Sequence, residues 1–391
     1  MPLPIYLDHA ATTPVRPEAR DAMLPYLGEE AFGNPSSAHQ AGRVARAGLD
    51  RARRQVAAAV GAEAGQVFFT SGGTEADNLA VLGAALAGRD GGKAMRVAVS
   101  AIEHKAVLAA AHAVAHLGGS EESIAVGHDG VVDLDLLDQA LTRHPTVVSV
   151  MWVNNETGVI QPIAEIGRRC QAAGALFHTD AVQAFGNLPL TLADLPCDLL
   201  TISAHKVGGP KGVGALVVRT GETIHPLIQG GSQQSGLRPG TENISGAVGF
   251  GCAAELAAHE QPEHARRLAG LRNQLRDRLV DAVPDLVVVG EASERVPHIL
   301  NVCVPGADSQ ALLVHLDQAG IAASSGSACT TGAAEPSHVL VAMGLPRDLA
   351  IGAVRFSLGR TTTINDIEGV AEEFPRVANR VRALAGVLSR G

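Results

Sequence analysis

Leu-Phe-His-Thr-Asp-Ala-Val-Gln (176–183) and Leu-Leu-Thr-Ile-Ser-Ala-His-Lys (199–206) decide the fold of this chain. Each begins as a short apolar, β-branched run and ends abruptly in polar residues. Similar runs lie at 67–70, 96–100, 147–153 and 215–219, and Ala-rich helical patterns at 75–87, 104–117 and 163–173 separate several of them. Continuous apolar strands alternating with helices predict an α/β fold with a mostly parallel sheet covered on both faces. In such sheets ligands sit beyond the carboxyl ends of the strands. The chemically suggestive residues of this stretch fall just there.

Beyond about residue 260 the pattern changes. Residues 259–278 are charged and helical, 298–304 and 354–358 read as strands, 310–319 as a helix, and 366–388 as a long amphipathic helix. A length of 391 residues is generous for one core and suits two. With 46% hydrophobic and 18% charged residues the chain is expected to be well buried rather than disordered. The net charge of −9 disfavours nucleic acid or an anionic membrane surface as a direct partner. No apolar stretch long enough to span a bilayer occurs, and Met1–Pro14 lacks the basic and apolar regions of a secretory leader. The five cysteines (170, 197, 252, 303 and 329) form no CxxC pair, which argues against a disulfide framework and a zinc site. A reducing, cytoplasmic setting is expected, with all but Cys329 serving as small buried hydrophobes.

Val-Phe-Phe-Thr-Ser-Gly-Gly-Thr-Glu (67–75) is a strand, a glycine turn and a helix start. Such a turn offers backbone N–H groups and a helix dipole to an anion. By itself it fits either a phosphate cradle or an ordinary βα connection. Asp180 either caps the following helix or presents a carboxylate to a ligand. Lys206 follows a buried strand among small residues, a setting that lowers a lysine's pKa and suits it to carry a carbonyl group. Asp180 and Lys206 end neighbouring strands. Pyridoxal phosphate (PLP) chemistry needs this pair: the carboxylate keeps the pyridine nitrogen protonated, and the lysine carries the aldehyde.

The chain resembles the cysteine desulfurases of the NifS/IscS group, fold-type-I PLP-dependent enzymes of the class-V aminotransferase family. The resemblance runs nearly end to end. It rests on Tyr-Leu-Asp-His-Ala-Ala-Thr-Thr-Pro (6–14), Gly-Asn-Pro-Ser-Ser-Ala-His (33–39), Thr-Ser-Gly-Gly-Thr-Glu-Ala-Asp-Asn (70–78) and Asn-Asn-Glu-Thr-Gly (154–158). Ser-Ala-His-Lys (203–206), Gly-Thr-Glu-Asn (240–243), Ser-Ser-Gly-Ser-Ala-Cys (324–329) and Val-Arg-Phe-Ser-Leu-Gly-Arg (354–360) complete it. It implies a PLP-binding transferase fold: an N-terminal segment (1–15) packed with the small domain, a large PLP-binding domain (16–260), and a smaller α+β C-terminal domain (261–391) carrying the cysteine loop. It further implies that Lys206 holds PLP and that Asp180 faces the ring nitrogen. Gly73, Thr74, Ser203 and His205 would hold the phosphate, with Thr241 contributed by the partner subunit of a homodimer. His104 would stack on the ring and move protons, and Asn155 and Gln183 would bond the ring hydroxyl or nearby groups.

Cys329 lies in a stretch of small polar residues, the composition of an exposed loop. The resemblance makes it the nucleophile that takes sulfur from L-cysteine as a persulfide and passes it to an acceptor, such as an iron–sulfur scaffold or a thiolation protein. Arg355 is then the clamp for the substrate carboxylate, the alternative being a structural ion pair. Asn34 either lines the pocket or simply forms a turn. The long segment between Cys329 and Arg355 resembles the long-loop group. Gln234-Ser235 stands where the family carries Glu-Arg, and the C-terminus at Gly391 is short for docking a scaffold. Rival readings are a selenocysteine lyase, a related PLP aminotransferase, and a non-enzymatic PLP-binding scaffold.

Overall fold

The computed structural model describes residues 5–326 and 335–388; Cys329 lies outside the described residues. In chain order its strands are β1 (Ile5–Tyr6), β2 (Val67–Thr70), β3 (Arg96–Ser100), β4 (Ser120–Ile124), β5 (Val147–Ser149), β6 (Leu176–Asp180), β7 (Leu199–Ser203), β8 (Gly214–Val218), β9 (Val287–Val288), β10 (Ile299–Cys303), β11 (Ile321–Ala322) and β12 (Ala353–Ser357). Its helices are α1 (Pro17–Met23), α2 (Gln40–Val60), α3 (Gly73–Asp90), α4 (Lys105–His116), α5 (Leu134–Leu141), α6 (Ile163–Ala173), α7 (Ile244–Ala282), α8 (Ser309–Gln318), α9 (His338–Ala342), α10 (Arg347–Ala350) and α11 (Ile364–Leu388).

Seven strands form the main sheet in the order β2-β8-β7-β6-β5-β3-β4. All neighbours pair in parallel except β8, which runs against both β2 and β7. The strands beside the site are buried along almost their whole length, as continuous apolar runs require when helices cover both faces. Two differences from the sequence expectation have physical causes. The edge strand β4, Ser-Glu-Glu-Ser-Ile, was not foreseen because it carries the polar residues with which edge strands discourage further pairing. And β5 ends at Ser149 rather than 153, since Val153 leaves the sheet to bridge Ile160.

Helix-to-strand connections are short, and this places strand ends accurately. Helix α6 stops at Gly174, whose φ of 71° gives the left-handed cap that glycine adopts without strain. β6 starts two residues later and delivers Asp180 to the sheet's carboxyl edge.

A second core surrounds the antiparallel sheet β12-β10-β9, with Phe356 and Phe374 packed edge to face at 5.4 Å. Helix α7 runs through both cores: Ala247, Phe250, Ala253 and Ala257 pack in the first, Leu268, Leu271, Leu275 and Leu279 in the second. The N-terminus also belongs to both. β1 pairs with β11 and Leu7 enters the second core, while Thr13 N–H donates to the His205 carbonyl at 2.9 Å. Among the described residues no helix is long and apolar enough to cross a membrane. Cys170, Cys197 and Cys303 are buried and Cys252 half-buried, in line with their apolar reading.

Candidate active site

A cavity of about 390 Å³ opens where the ends of β6 and β7 meet the N-terminus of α3, within the roughly 300–1,000 Å³ of small-molecule sites. Gly73, Thr74, His104, Asn155, Asp180, Gln183, Ser203, His205, Lys206 and Arg355 all line it. So do residues that the sequence reading did not single out: Ala10, Ala11, Asp77, Met151, Ser324 and Gly326.

Lys206 lies in the single turn that follows β7. Its Nζ donates to the carbonyls of Ala10 and Ala11, at 2.8 Å for the latter, so the N-terminal segment fixes its direction. Burial, helped by the Arg355 charge, lowers its pKa to about 8. A fraction of the amine is therefore uncharged near neutral pH. Asp180 makes a local cap and also lines the cavity. Its Oδ1 accepts from Val182 N–H at 2.9 Å, capping a turn rather than a helix, and its carboxylate also faces the cavity. Burial raises its pKa, and the His104 charge, the Val182 N–H and Lys206 pull it back.

His104 is the N-cap of α4, and its Nδ1 accepts from Ala106 N–H at 3.2 Å. In the neutral ring the proton then sits on Nε2. Burial lowers its pKa, and the Asp180 carboxylate opposes that shift. His205, pushed down to about 4 by burial and by Lys206 and Lys211, is fixed by a 3.1 Å contact to Thr12 Oγ1. Gln183 is committed on both sides: its amide donates to the Ala10 carbonyl at 2.9 Å, and its oxygen faces His298 at 3.3 Å.

Arg355, 3% exposed on β12, donates to Asp8 Oδ1 and to the Asn155 carbonyl, each at 2.7 Å. The ion-pair reading is therefore correct, and the side chain still reaches the cavity with an unpartnered Nε. Asn34 forms the turn that was one of its two readings. Its Oδ1 accepts from Ser36 N–H at 2.9 Å in an exposed turn, away from the cavity of its own chain. Thr241 is likewise exposed and outside that cavity.

Asp77, one helical turn into α3, is almost fully buried beside Asp180, and its pKa is raised by burial and by that neighbour. Glu103 accepts from Ser100 Oγ at 2.5 Å and Met151 N–H at 2.7 Å, and burial raises it to about 8. The position of Asp77 four residues after Gly73 was the available signal, since that spacing shares a helix face.

The set fits a phosphorylated pyridine aldehyde. Ser203 Oγ is buried with no partner, next to the free N–H groups that begin α3, and together they suit a phosphate. A buried carboxylate and a low-pKa lysine stand in the same cavity. Residues 5–370 match the family model "Aminotransferase class-V". The chain belongs to the class-V aminotransferase family. This family is PLP-dependent. A class-V relative, cysteine desulfurase IscS of Dictyoglomus turgidum, is 42% identical over 97% of this chain and 96% of its own. A cysteine desulfurase of Cereibacter sphaeroides is 45% identical, covering 97% of each. The solved structure of a NifS-like protein from Rickettsia africae superposes with a TM-score of 0.86 at 34% identity, over 96% of this chain and 99% of its own. Another NifS-like protein gives 0.90 at 33%, over 97% and 100%.

Proposed function

We propose that this chain is a cysteine desulfurase, which removes sulfur from L-cysteine, leaves L-alanine, and receives the sulfur on Cys329 as a persulfide. The convergence of Lys206, Asp180, His104 and Arg355 on one cavity carries this reading. Relatives bearing that activity in their names, similar over 97% of the chain, support it.

In this reading Lys206 holds PLP, Asp180 faces the ring nitrogen, and Gly73, Thr74, Ser203 and His205 hold the phosphate. When bound, the cofactor supplies an electron sink for the carbon skeleton of the substrate. The protein does the rest. Arg355 binds the substrate carboxylate through its spare Nε and by sharing its terminal nitrogens with Asp8. Asn155, held where its carbonyl accepts from Arg355, orients the same end. Lys206, with a pKa of about 8, takes and returns protons at the substrate's α-carbon, and His104 serves as a second proton carrier. Gln183 steadies the ring edge. The Cys329 thiolate attacks the substrate sulfur, an S–S bond forms, the substrate's Cβ–S bond breaks, and protonation of the carbon fragment gives alanine.

A homodimer supplies Thr241 from a second copy of the chain to the phosphate site, and Asn34 also lies beyond the reach of its own cavity. The division into 1–15, 16–260 and 261–391 accompanies this proposal, as do a cytoplasmic setting and transfer to an iron–sulfur scaffold or thiolation protein. The decisive experiment incubates the PLP-loaded protein with cysteine and measures alanine together with the mass of Cys329. Equimolar alanine and one added sulfur atom are expected. A Cys329→Ala variant with undiminished turnover, or a Lys206→Ala variant that keeps the absorption band of lysine-bound cofactor, would overturn the reading.

A further inference from the structure

Glu156 has no role in the chemistry described so far, yet it is 3% exposed. Its backbone is pinned on both sides: the N–H donates to Asn154 Oδ1 at 3.0 Å, and the carbonyl accepts from Asn301 Nδ2 of β10 at 3.1 Å. A carboxyl group buried this deeply needs partners for its oxygens. Glu156 finds one in Ser337, whose Oγ donates to its Oε2. The same Oγ caps α9, accepting from Val339 N–H at 3.1 Å and from Leu340 N–H at 3.4 Å. With two donors aimed at its oxygen, the hydroxyl has its single proton left for Glu156. Gly326 packs against the same carboxyl group from another direction. A Cβ at that position would lie 2.9 Å from Glu156 Oε2 and 3.0 Å from its Cγ, closer than packed atoms approach. The Gly326 φ of 84° also favours glycine. Gly326 itself lines the main cavity, and its N–H donates to Ser324 Oγ at 3.1 Å.

Gly326 and Ser337 bracket Cys329 in the sequence, and both meet one buried carboxyl group. We propose that Glu156 is a positioning residue for sulfur transfer: by holding Gly326 and Ser337 it fixes the two points from which Cys329 is presented to the substrate. This role rests on the desulfurase reading, in which Cys329 takes the sulfur. Cys329 is three positions beyond Gly326 (329 − 326), and a chain spans at most about 3.3–3.6 Å per residue. A shift of Gly326 is therefore passed on to the thiol over a short tether. Attack requires the reacting sulfurs aligned at about 3–3.5 Å, and a misplacement of about 1 Å costs about 100-fold in rate. Binding of the substrate is a separate matter, since its carboxylate is gripped by Arg355.

The experiment compares the PLP-loaded wild-type protein with E156A, E156Q and G326A. Three quantities are read: cysteine affinity from the change in cofactor absorption, the single-turnover rate at which Cys329 gains one sulfur atom by mass, and amide hydrogen exchange of residues 323–326 and 335–343. In E156A both segments should exchange about tenfold faster or more. Sulfur gain should slow by about tenfold or more, with cysteine affinity within about twofold of wild type. E156Q keeps the shape and an acceptor for Ser337, so its rate should stay within about threefold of wild type. G326A disturbs the same contact from the glycine side and should slow sulfur gain as E156A does. If E156A misfolds, G326A decides. A wild-type rate of sulfur gain in the deciding variant, a slowing matched by an equal loss of cysteine affinity, or unchanged exchange in E156A overturns the proposal. A wild-type protein that gains no sulfur sinks the desulfurase reading instead, while the exchange measurement still reports whether Glu156 holds the two flanks.

Discussion

Asp8→Asn tests the most consequential contact in the cavity. Arg355 is held by Asp8 at 2.7 Å, with side-chain exposures of 4% and 22%. At an effective dielectric of about 20, unit charges about 4 Å apart interact by about 4 kcal/mol. Breaking a buried pair by removing one partner costs about 3–5 kcal/mol. Two features reduce this cost: Asp8 keeps some solvent contact, and Arg355 keeps its bond to the Asn155 carbonyl. Asparagine also preserves one acceptor oxygen. We therefore expect a loss of about 2 kcal/mol in equilibrium unfolding by denaturant. The catalytic consequence has the opposite sense. Asp8 competes with the substrate carboxylate for the same guanidinium, so its neutralisation should lower KM for cysteine while kcat changes little. A variant as stable as wild type, or one with a raised KM and intact kcat, would refute the argument that Asp8 and substrate share Arg355.

Other expectations follow from buried titrating groups and close packing. The depressed pKa of Lys206, about 8 against 10.5, means that the unfolded chain binds more protons between those values. Stability of the cofactor-free protein should thus rise by up to about 3 kcal/mol from pH 8 to 10.5 relative to Lys206→Met, measured by unfolding at each pH. Glu103 has the opposite sign: its pKa, raised from 4.5 to about 8, makes the folded state bind the extra proton. Stability should fall as pH rises through that window, and Glu103→Gln should flatten the slope. Gly167→Ala would place a Cβ 2.1 Å from the Pro196 carbonyl oxygen, and backbone cannot yield there. Thermal unfolding should report a loss of about 1–3 kcal/mol.

The main sheet was legible because its central strands are apolar on both faces, and the strand ends carried Asp180 and Lys206 with them. Signals failed where position does not depend on residue identity. Ala10 and Ala11 orient Lys206 through carbonyl oxygens, which any residue would supply, so their sequence is silent. Asp77 was not singled out, since only tertiary packing turns that face of α3 inward. Asn34 stood open between lining a pocket and forming a turn, and within its own chain it does turn work. Arg355 shows that two readings need not compete, as one guanidinium both pairs with Asp8 and faces the cavity.

The grip of the N-terminal segment on Lys206 also bears on how the protein is made. Asp8 meets Arg355 across 347 positions, and β1 finds its partner only in β11. The ribosome releases the N-terminal segment first, at roughly 5–20 residues per second, long before Arg355 and β11 emerge. The main sheet has all its strands by residue 218. Thr13 and Ala10 can already bond to His205 and Gln183 at that stage, whereas Asp8 and β1 wait for the chain's last quarter to fold back onto its beginning. Closing the Asp8–Arg355 pair is therefore one of the last steps open to a newly made chain.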